Sequence, residues 1–270
     1  MKIGNREFKT TGHTYIMGIL NVTPDSFSDG GLHYGEDEAL RHAYRMVKEG
    51  ADIIDIGGES TRPGYEKVSD DEEIYRVVPV IDKIKSELDI PISVDTYKPV
   101  VAAAAISAGA DLINDVWGLQ TEGMAELIAK HDLPCCLMHN RKEGNIYEPD
   151  LKTAIIHDMS EIIWRARKAG IPGDKIIIDP GIGFAKDTEQ NLMVLNDENF
   201  MMPAGFPILL GTSRKSVIGN VLDVPVSERL EGTLATTAVA IQRNCMFVRV
   251  HDVLANARFI KMMEAIRNCK

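Results

Sequence analysis

Ile92-Ser93-Val94-Asp95, followed by Val100-Val101-Ala102-Ala103-Ala104-Ala105-Ile106 and then Leu112-Ile113-Asn114-Asp115, is the stretch on which the fold turns. A short β-branched run closed by a carboxylate leads into an alanine-rich run of helical length and then into a second apolar run closed by polar residues. That is one strand-helix-strand unit. Reading outward, similar short runs stand at Tyr15 to Leu20, Ile53 to Ile56, Cys135 to Met138, Ile176 to Ile178, Ile208 to Leu210 and Met246 to Val250. Helical periodicity fills Asp37 to Glu49, Asp71 to Leu88, Val100 to Ala108, Met124 to His131, Leu151 to Ala169, Gln190 to Leu195, Arg229 to Gln242 and Leu254 to Arg267. Eight strand candidates alternating with helices in 270 residues predict a single (β/α)8 barrel, an α/β fold for which about 250 residues is typical. A doubly wound sheet is the alternative, but the first strand is not followed by the Gly-x-Gly-x-x-Gly of a dinucleotide fold. No linker, repeat or charge block divides the chain, so it reads as one domain over residues 1–270.

Composition narrows the function classes. Apolar residues make up 44% and charged residues 26%, the balance of a globular protein, and 30 basic against 40 acidic side chains give a net charge of −10. With a pI near 5.2 and dispersed lysines and arginines, non-specific nucleic-acid binding is not expected. The most apolar run, Val100 to Ile106, is far below the roughly 20 residues of a membrane span. A polar N-terminus where a secretory signal would be apolar places the chain in the cytoplasm. Four scattered cysteines, at 135, 136, 245 and 269, form neither a disulfide framework nor a zinc pattern.

In a barrel the residues just after each strand share one rim, where active sites of this fold sit. Here the strands close on Asn21, Gly57, Asp95, Asn114 with Asp115, His139, Asp179, Thr212 and His251. Any one of these aspartates alone reads as a helix N-cap; together they point carboxylates and an amide at a ligand edge rich in N–H donors. Two connections are long. Asn21 to about Gly35 carries Phe27 among turn formers, and Gly57 to Gly64 carries Arg62 beside Pro63. Their length suits lids, where ordinary connections run to about 2–6 residues. Gly211-Thr212-Ser213-Arg214-Lys215-Ser216 follows the seventh strand, where this fold commonly binds anions, and a short helix is expected to start near Ser216. Arg249 and His251 alternate on the eighth strand and so face one side, with Val250 opposite. Cys135, Cys136 and Trp164 read as packing residues.

At these residues the sequence resembles the dihydropteroate synthase family. The resemblance is carried in order by Asn21-Val22-Thr23-Pro24-Asp25-Ser26-Phe27-Ser28, Gly57 to Gly64, Ser93-Val94-Asp95-Thr96, Asn114-Asp115, Asp179-Pro180-Gly181-Ile182-Gly183-Phe184 and Ser213-Arg214-Lys215-Ser216. It implies condensation of 6-hydroxymethyl-7,8-dihydropterin pyrophosphate with 4-aminobenzoate by a dissociative substitution in folate biosynthesis, with release of pyrophosphate. By the same resemblance Asp95, Asn114, Met138, Asp179 and Lys215 bind the pterin. Asn21, Arg62, Arg249 and His251 hold the pyrophosphate, with Mg²⁺ near Asn21. Phe27, Thr61, Pro63, Phe184 and Ser216 receive 4-aminobenzoate, and Asp95, Lys215, Arg249 and His251 are the catalytic set. One departure is Met138-His139-Asn140, where many members have Met-His-Met.

Two rival readings share the barrel. A methyltetrahydrofolate-binding methyltransferase domain would have no need of the 213–216 and Arg249/His251 apparatus, and a pterin-binding protein without turnover would not need the intact loop sequences. Small and apolar residues on most faces of Thr233 to Ile241, with an apolar-rich Leu254 to Ile266, point to a homodimer through the late helices.

Overall fold

The computed structural model describes residues 1–22, 31–59, 67–142, 144–197 and 205–269, with 31–34 described in backbone only. Strands β1 (Lys2–Ile3) and β2 (Arg6–Glu7) form an antiparallel hairpin. The barrel strands are β3 (Tyr15–Asn21), β4 (Ile53–Gly57), β5 (Ile92–Asp95), β6 (Leu112–Asp115), β7 (Cys135–Met138), β8 (Ile176–Asp179), β9 (Leu209–Leu210) and β10 (Phe247–Val250). All pair in parallel, in the order β8-β7-β6-β5-β4-β3-β10-β9, and a bridge between Ile178 and Ile208 closes the ring. The eight-stranded α/β barrel is as expected.

The helices among the described residues are α1 (Gly31–Glu49), α2 (Asp70–Glu87), α3 (Pro99–Ser107), α4 (Met124–Lys130), α5 (Leu151–Lys168), α6 (Thr188–Asn196), α7 (Ser216–Leu222), α8 (Leu230–Gln242) and α9 (Val253–Asn268). Their starts follow local chemistry. Ser69 caps α2 ahead of four acidic residues, Asp150 caps α5, and Asp187 with Gln190 closes a capping box on α6. Helix α1 begins at Gly31 rather than Asp37, so the first connection is shorter than the periodicity implied. The glycines at 31 and 35 are poor helix formers in isolation, and tertiary packing overrides that preference. Among the described residues no helix is long and apolar enough to cross a membrane.

Strand alternation sorts the core into two shells. Outward residues such as Ile16, Leu20, Ile54, Ile56, Ile92, Val94, Ile113, Leu137, Ile178, Leu210, Val248 and Val250 pack under the helices. Inward residues Met17, Ile53, Leu112, Cys136, Ile177, Leu209 and Phe247 fill the lower barrel together with Ile3 and Phe8 from the N-terminal segment. The hairpin was not foreseen; its strands are two residues each, too short for any periodicity. It is pinned by the Met1 ammonium donating to the Phe8 carbonyl at 2.8 Å and by the Phe8 ring against Tyr15 and Phe247 at 4.9 and 5.5 Å between centroids. Trp164, read as a packing residue, is instead 60% exposed on α5, with the Lys168 ammonium 4.7 Å from its ring centre.

Candidate active site

The same alternation that sends Met17 and Phe247 inward at the bottom sends Asn21, Asp55, Gly57, Ser93, Asp95, Asn114, Met138, Asp179, Gly211 and Arg249 inward above them. Three residues of the expected rim set face the other way. Asp115 accepts from the backbone N–H groups of Trp117 and Leu119 at 2.8 Å each, His139 turns toward Asp158, and Thr212 meets Thr236. Standing at the rim is not the same as pointing to the axis; parity along each strand decides.

Arg249 is the hub of the upper barrel. Its Nε donates to Asp55 Oδ2 at 2.6 Å and its Nη2 to Asp95 Oδ2 at 2.7 Å. Asp55, fully buried, also accepts from Ser93 Oγ at 2.5 Å and from Asn114 Nδ2 at 3.3 Å. The two carboxylates hold the guanidinium above its ordinary pKa. Asp95 Oδ1, by contrast, is buried with no hydrogen-bond partner among the described residues. Burial, with Asp55 and Glu73 nearby and Arg249 opposing, pushes this carboxyl well above the usual carboxylate range. An orphaned acceptor of this kind costs about 1–3 kcal/mol unless a donor arrives.

Asp179 Oδ1 accepts from Gly181 N at 2.7 Å, and burial raises its pKa against the pull of Lys215. Its other oxygen would lie 3.4 Å from a Cβ placed at Gly211, so the two positions border one space. Lys215 Nζ donates to the Ile182 carbonyl and sits 4.6 Å from the centre of the Phe184 ring. Burial holds this ammonium down to about 8, with Asp179 opposing. Asn21 Oδ1 and Asp95 both border Gly57, at 3.8 Å and 3.7–3.9 Å from the position of an added Cβ, so they face one space. Ser213 Oγ links the ends of β9 and β10, accepting from the His251 backbone N–H at 3.1 Å and meeting its Nδ1 at 3.0 Å. Arg214 turns from the mouth to pair with Asp252 through two bonds at 2.9 and 2.5 Å. Ser216 opens α7 as expected and is exposed.

The structure therefore brings Asn21, Asp95, Asn114, Met138, Asp179, Phe184, Lys215, Arg249 and His251 to one end of the barrel. Phe27, Thr61, Arg62 and Pro63 lie outside the described residues. At the base of the second connection, Lys98 Nζ bridges Glu59 at 2.7 Å and Glu73 at 2.8 Å. Sequence reading missed Asp55 and Ser93. A lone carboxylate inside Ile53-Ile54-Asp55-Ile56 was the available signal, since a charge in an apolar strand must have a partner.

Comparison with known proteins places the chain in a family. The pterin binding enzyme family matches residues 17–251. A dihydropteroate synthase of Clostridium beijerinckii is 56% identical over 268 residues, covering 98% of this chain and 99% of its own length. The crystal structure of a Clostridium difficile dihydropteroate synthase obtained in the presence of pteroic acid superposes with a TM-score of 0.92 at 51% identity, covering all of both chains. That of a Xanthomonas albilineans dihydropteroate synthase with 4-aminobenzoic acid does so at 0.91 and 40% identity, covering 96% and 94%. With the match running from the first barrel strand to the end of the last, and with this identity over nearly the whole length, the chain belongs to the pterin binding enzymes, among the dihydropteroate synthases.

Proposed function

We propose that this chain, as one domain over residues 1–270, joins 6-hydroxymethyl-7,8-dihydropterin pyrophosphate to 4-aminobenzoate in the barrel mouth, giving 7,8-dihydropteroate and pyrophosphate. The observation that carries this reading is the orphaned Asp95 Oδ1, buried beside Asn114 and the Arg249 hub: it is an acceptor waiting for an N–H donor. A pterin ring offers such donors along one edge and a carbonyl on the other. Asp95, Asn114 and Asp179 are assigned to the donors, Lys215 to the carbonyl oxygen and Met138 to the ring face.

The arylamine of 4-aminobenzoate is neutral at pH 7, so a strong base adds little before attack. Its nitrogen lone pair forms the new C–N bond at the pterin methylene, the C–O bond breaks with its electrons going to the pyrophosphate oxygen, and the nitrogen proton is released to solvent. The difficult part is departure of the leaving group. The Asp95 and Asp179 carboxyls, whose free oxygens face the mouth, favour cationic character on the methylene and with it a dissociative path. Asn21, Arg62, Arg249 and His251 are assigned to the pyrophosphate, and Phe27, Thr61, Pro63, Phe184 and Ser216 to 4-aminobenzoate. Mg²⁺ takes only one or two protein oxygens when substrate phosphates supply the rest, and the Asn21 amide oxygen bordering the mouth fits that need. When bound, the ion would neutralise charge on the leaving group.

A homodimer through the late helices belongs to the same reading, supported by exposed Leu254, Met262 and Ile266 on α9. The deciding experiment combines the protein, Mg²⁺, the pterin pyrophosphate and labelled 4-aminobenzoate. Labelled dihydropteroate is expected, and none above background overturns the proposal.

A further inference from the structure

A line of polar side chains outside this chemistry ties two walls of the mouth together. Lys186 ends the connection that follows β8. Its Nζ donates to the carbonyl of Gly181 at 3.1 Å, to that of Phe184 at 3.2 Å and to His139 Nδ1 at 2.9 Å. An ammonium has three N–H groups and no lone pair, so Nδ1 must accept. His139 therefore carries its proton on Nε2 and donates to Asp158 Oδ2 at 2.9 Å. Asp158 receives Arg141 as well, at 2.6 and 3.1 Å, and the Arg141 guanidinium lies 4.6 Å from the Tyr147 ring centre. Tyr147 closes the circuit by donating to the Ala185 carbonyl at 2.7 Å and stacking on His139.

The connection 180–187 has no strand or helix of its own, yet six of its carbonyls accept from side chains, those of Lys186 and Asp187 from Asn191 Nδ2 at 3.2 and 2.7 Å. Gly181 and Phe184 bind Lys186, Ile182 binds Lys215, and Ala185 binds Tyr147. Its path is close to its neighbours: a Cβ on Gly181, at φ +69°, would sit 2.0 Å from the His139 carbonyl oxygen. The shape of this wall is thus set by donors, and Lys186 supplies the central pair.

We propose that Lys186 is a positioning residue that, backed by His139 and Asp158, gathers the Gly181 and Phe184 carbonyls and thereby fixes Phe184 for 4-aminobenzoate binding. This rests on the assignment of Phe184 to that substrate. The groups facing Lys186 are His139, Asp158, Arg141, Asp179 and Lys215. Burial holds Lys186 down to about 7, with Asp179 and Asp158 opposing and Lys215 and Arg141 adding to the effect. His139, held down to about 4, stays neutral through that range. A neutral amine has only two N–H groups, so the clamp weakens as pH rises through 7.

The test compares wild type with Lys186→Met and Lys186→Arg. In Lys186→Met the KM for 4-aminobenzoate is expected to rise about tenfold at pH 6.5, with kcat and the pterin pyrophosphate KM within about threefold. Its rise in KM between pH 6 and 7.5, present in wild type, should be absent. Lys186→Arg should recover part of the affinity and show no pH step at 7. Amide hydrogen exchange at Gly183 and Phe184 should accelerate about tenfold in Lys186→Met whether or not the enzyme turns over. Should Lys186→Met fail to fold, Asp158→Asn is expected to shift the same KM in the same direction by a smaller factor. An unchanged 4-aminobenzoate KM, or equal losses in both KM values and kcat, overturns the proposal, as does unchanged exchange. A wild-type protein that makes no dihydropteroate overturns the activity instead, and exchange still decides the clamp.

Discussion

A carboxylate in the middle of an isoleucine strand is unfavourable unless donors meet it, and Asp55 has three: Arg249, Ser93 and Asn114. Asp95 and Asp179 keep acceptor capacity directed into the mouth. Replacing Asp179 by alanine is expected to lower affinity for a pterin analogue by about 1–3 kcal/mol, because the ligand donors it serves would be left unpaired; titration calorimetry reads this directly. The pH dependence follows from two opposite shifts. Asp95 is raised by burial, and on the proposed assignment its charged form would accept from the ligand, so affinity should climb as pH rises through its pKa. Lys215 is held down to about 8, and on the proposed assignment its charged form would donate to the ligand carbonyl, so affinity should fall as pH rises through 8. Analogue binding measured from pH 5.5 to 9.5 should be bell-shaped, and Asp95→Asn should remove the acid limb while keeping the alkaline one. A flat profile would separate the pterin from both groups.

Helix α5 contributes one residue to the mouth's supports, Asp158. Desolvation, the largest single influence, opposes the shift, but His139 and Arg141 together hold its carboxyl well below the usual carboxylate range. The folded pKa is therefore below the unfolded one. The stabilisation is fully present above the unfolded aspartate value of about 3.9 and is lost as pH falls toward the folded value. Asp158→Asn should accordingly lower Tm at pH 7, with the gap to wild type narrowing steadily below pH 4. At this scale the sequence was most readable. Each barrel strand lies within two residues of its expected position because β-branched runs end sharply at polar residues. What periodicity missed was local and conditional. The inward or outward sense of Asp115, His139 and Thr212 depends on parity within four-residue strands, and Lys186, between Ala185 and Asp187, looks like any solvated lysine until β7 and β8 bring His139 beside it. Asp55 and Ser93 stood in correctly placed strands, but their mutual contacts cross between strands 38 residues apart in the chain.

For the whole molecule, the proposed homodimer would have its seam along α9. Leu254, Arg258, Met262 and Ile266 follow each other at intervals of four along α9, and Met262 is 61% exposed. Thr233, Thr237, Ala240 and Ile241 of α8, in contrast, are buried within the chain. The apolar character that drew attention to α8 serves its own barrel. Met262→Glu is expected to shift sedimentation toward the monomer while leaving the melting of the barrel nearly unchanged; an unaltered sedimentation coefficient would move the seam elsewhere.

The hairpin of β1 and β2 and the residue after it, with Ile3 and Phe8 set against Met17 and Phe247, stopper the lower end of the barrel and make it a vessel filled from above. On the proposed assignment of Asp95 and Asn114 to the pterin, the pterin would rest deepest and could leave only after whatever lies above it has gone. Traffic through such a vessel would be a stack rather than a queue, with the pterin entering first and the pterin-bearing product departing last. Steady-state inhibition by product should then be competitive against the pterin substrate alone.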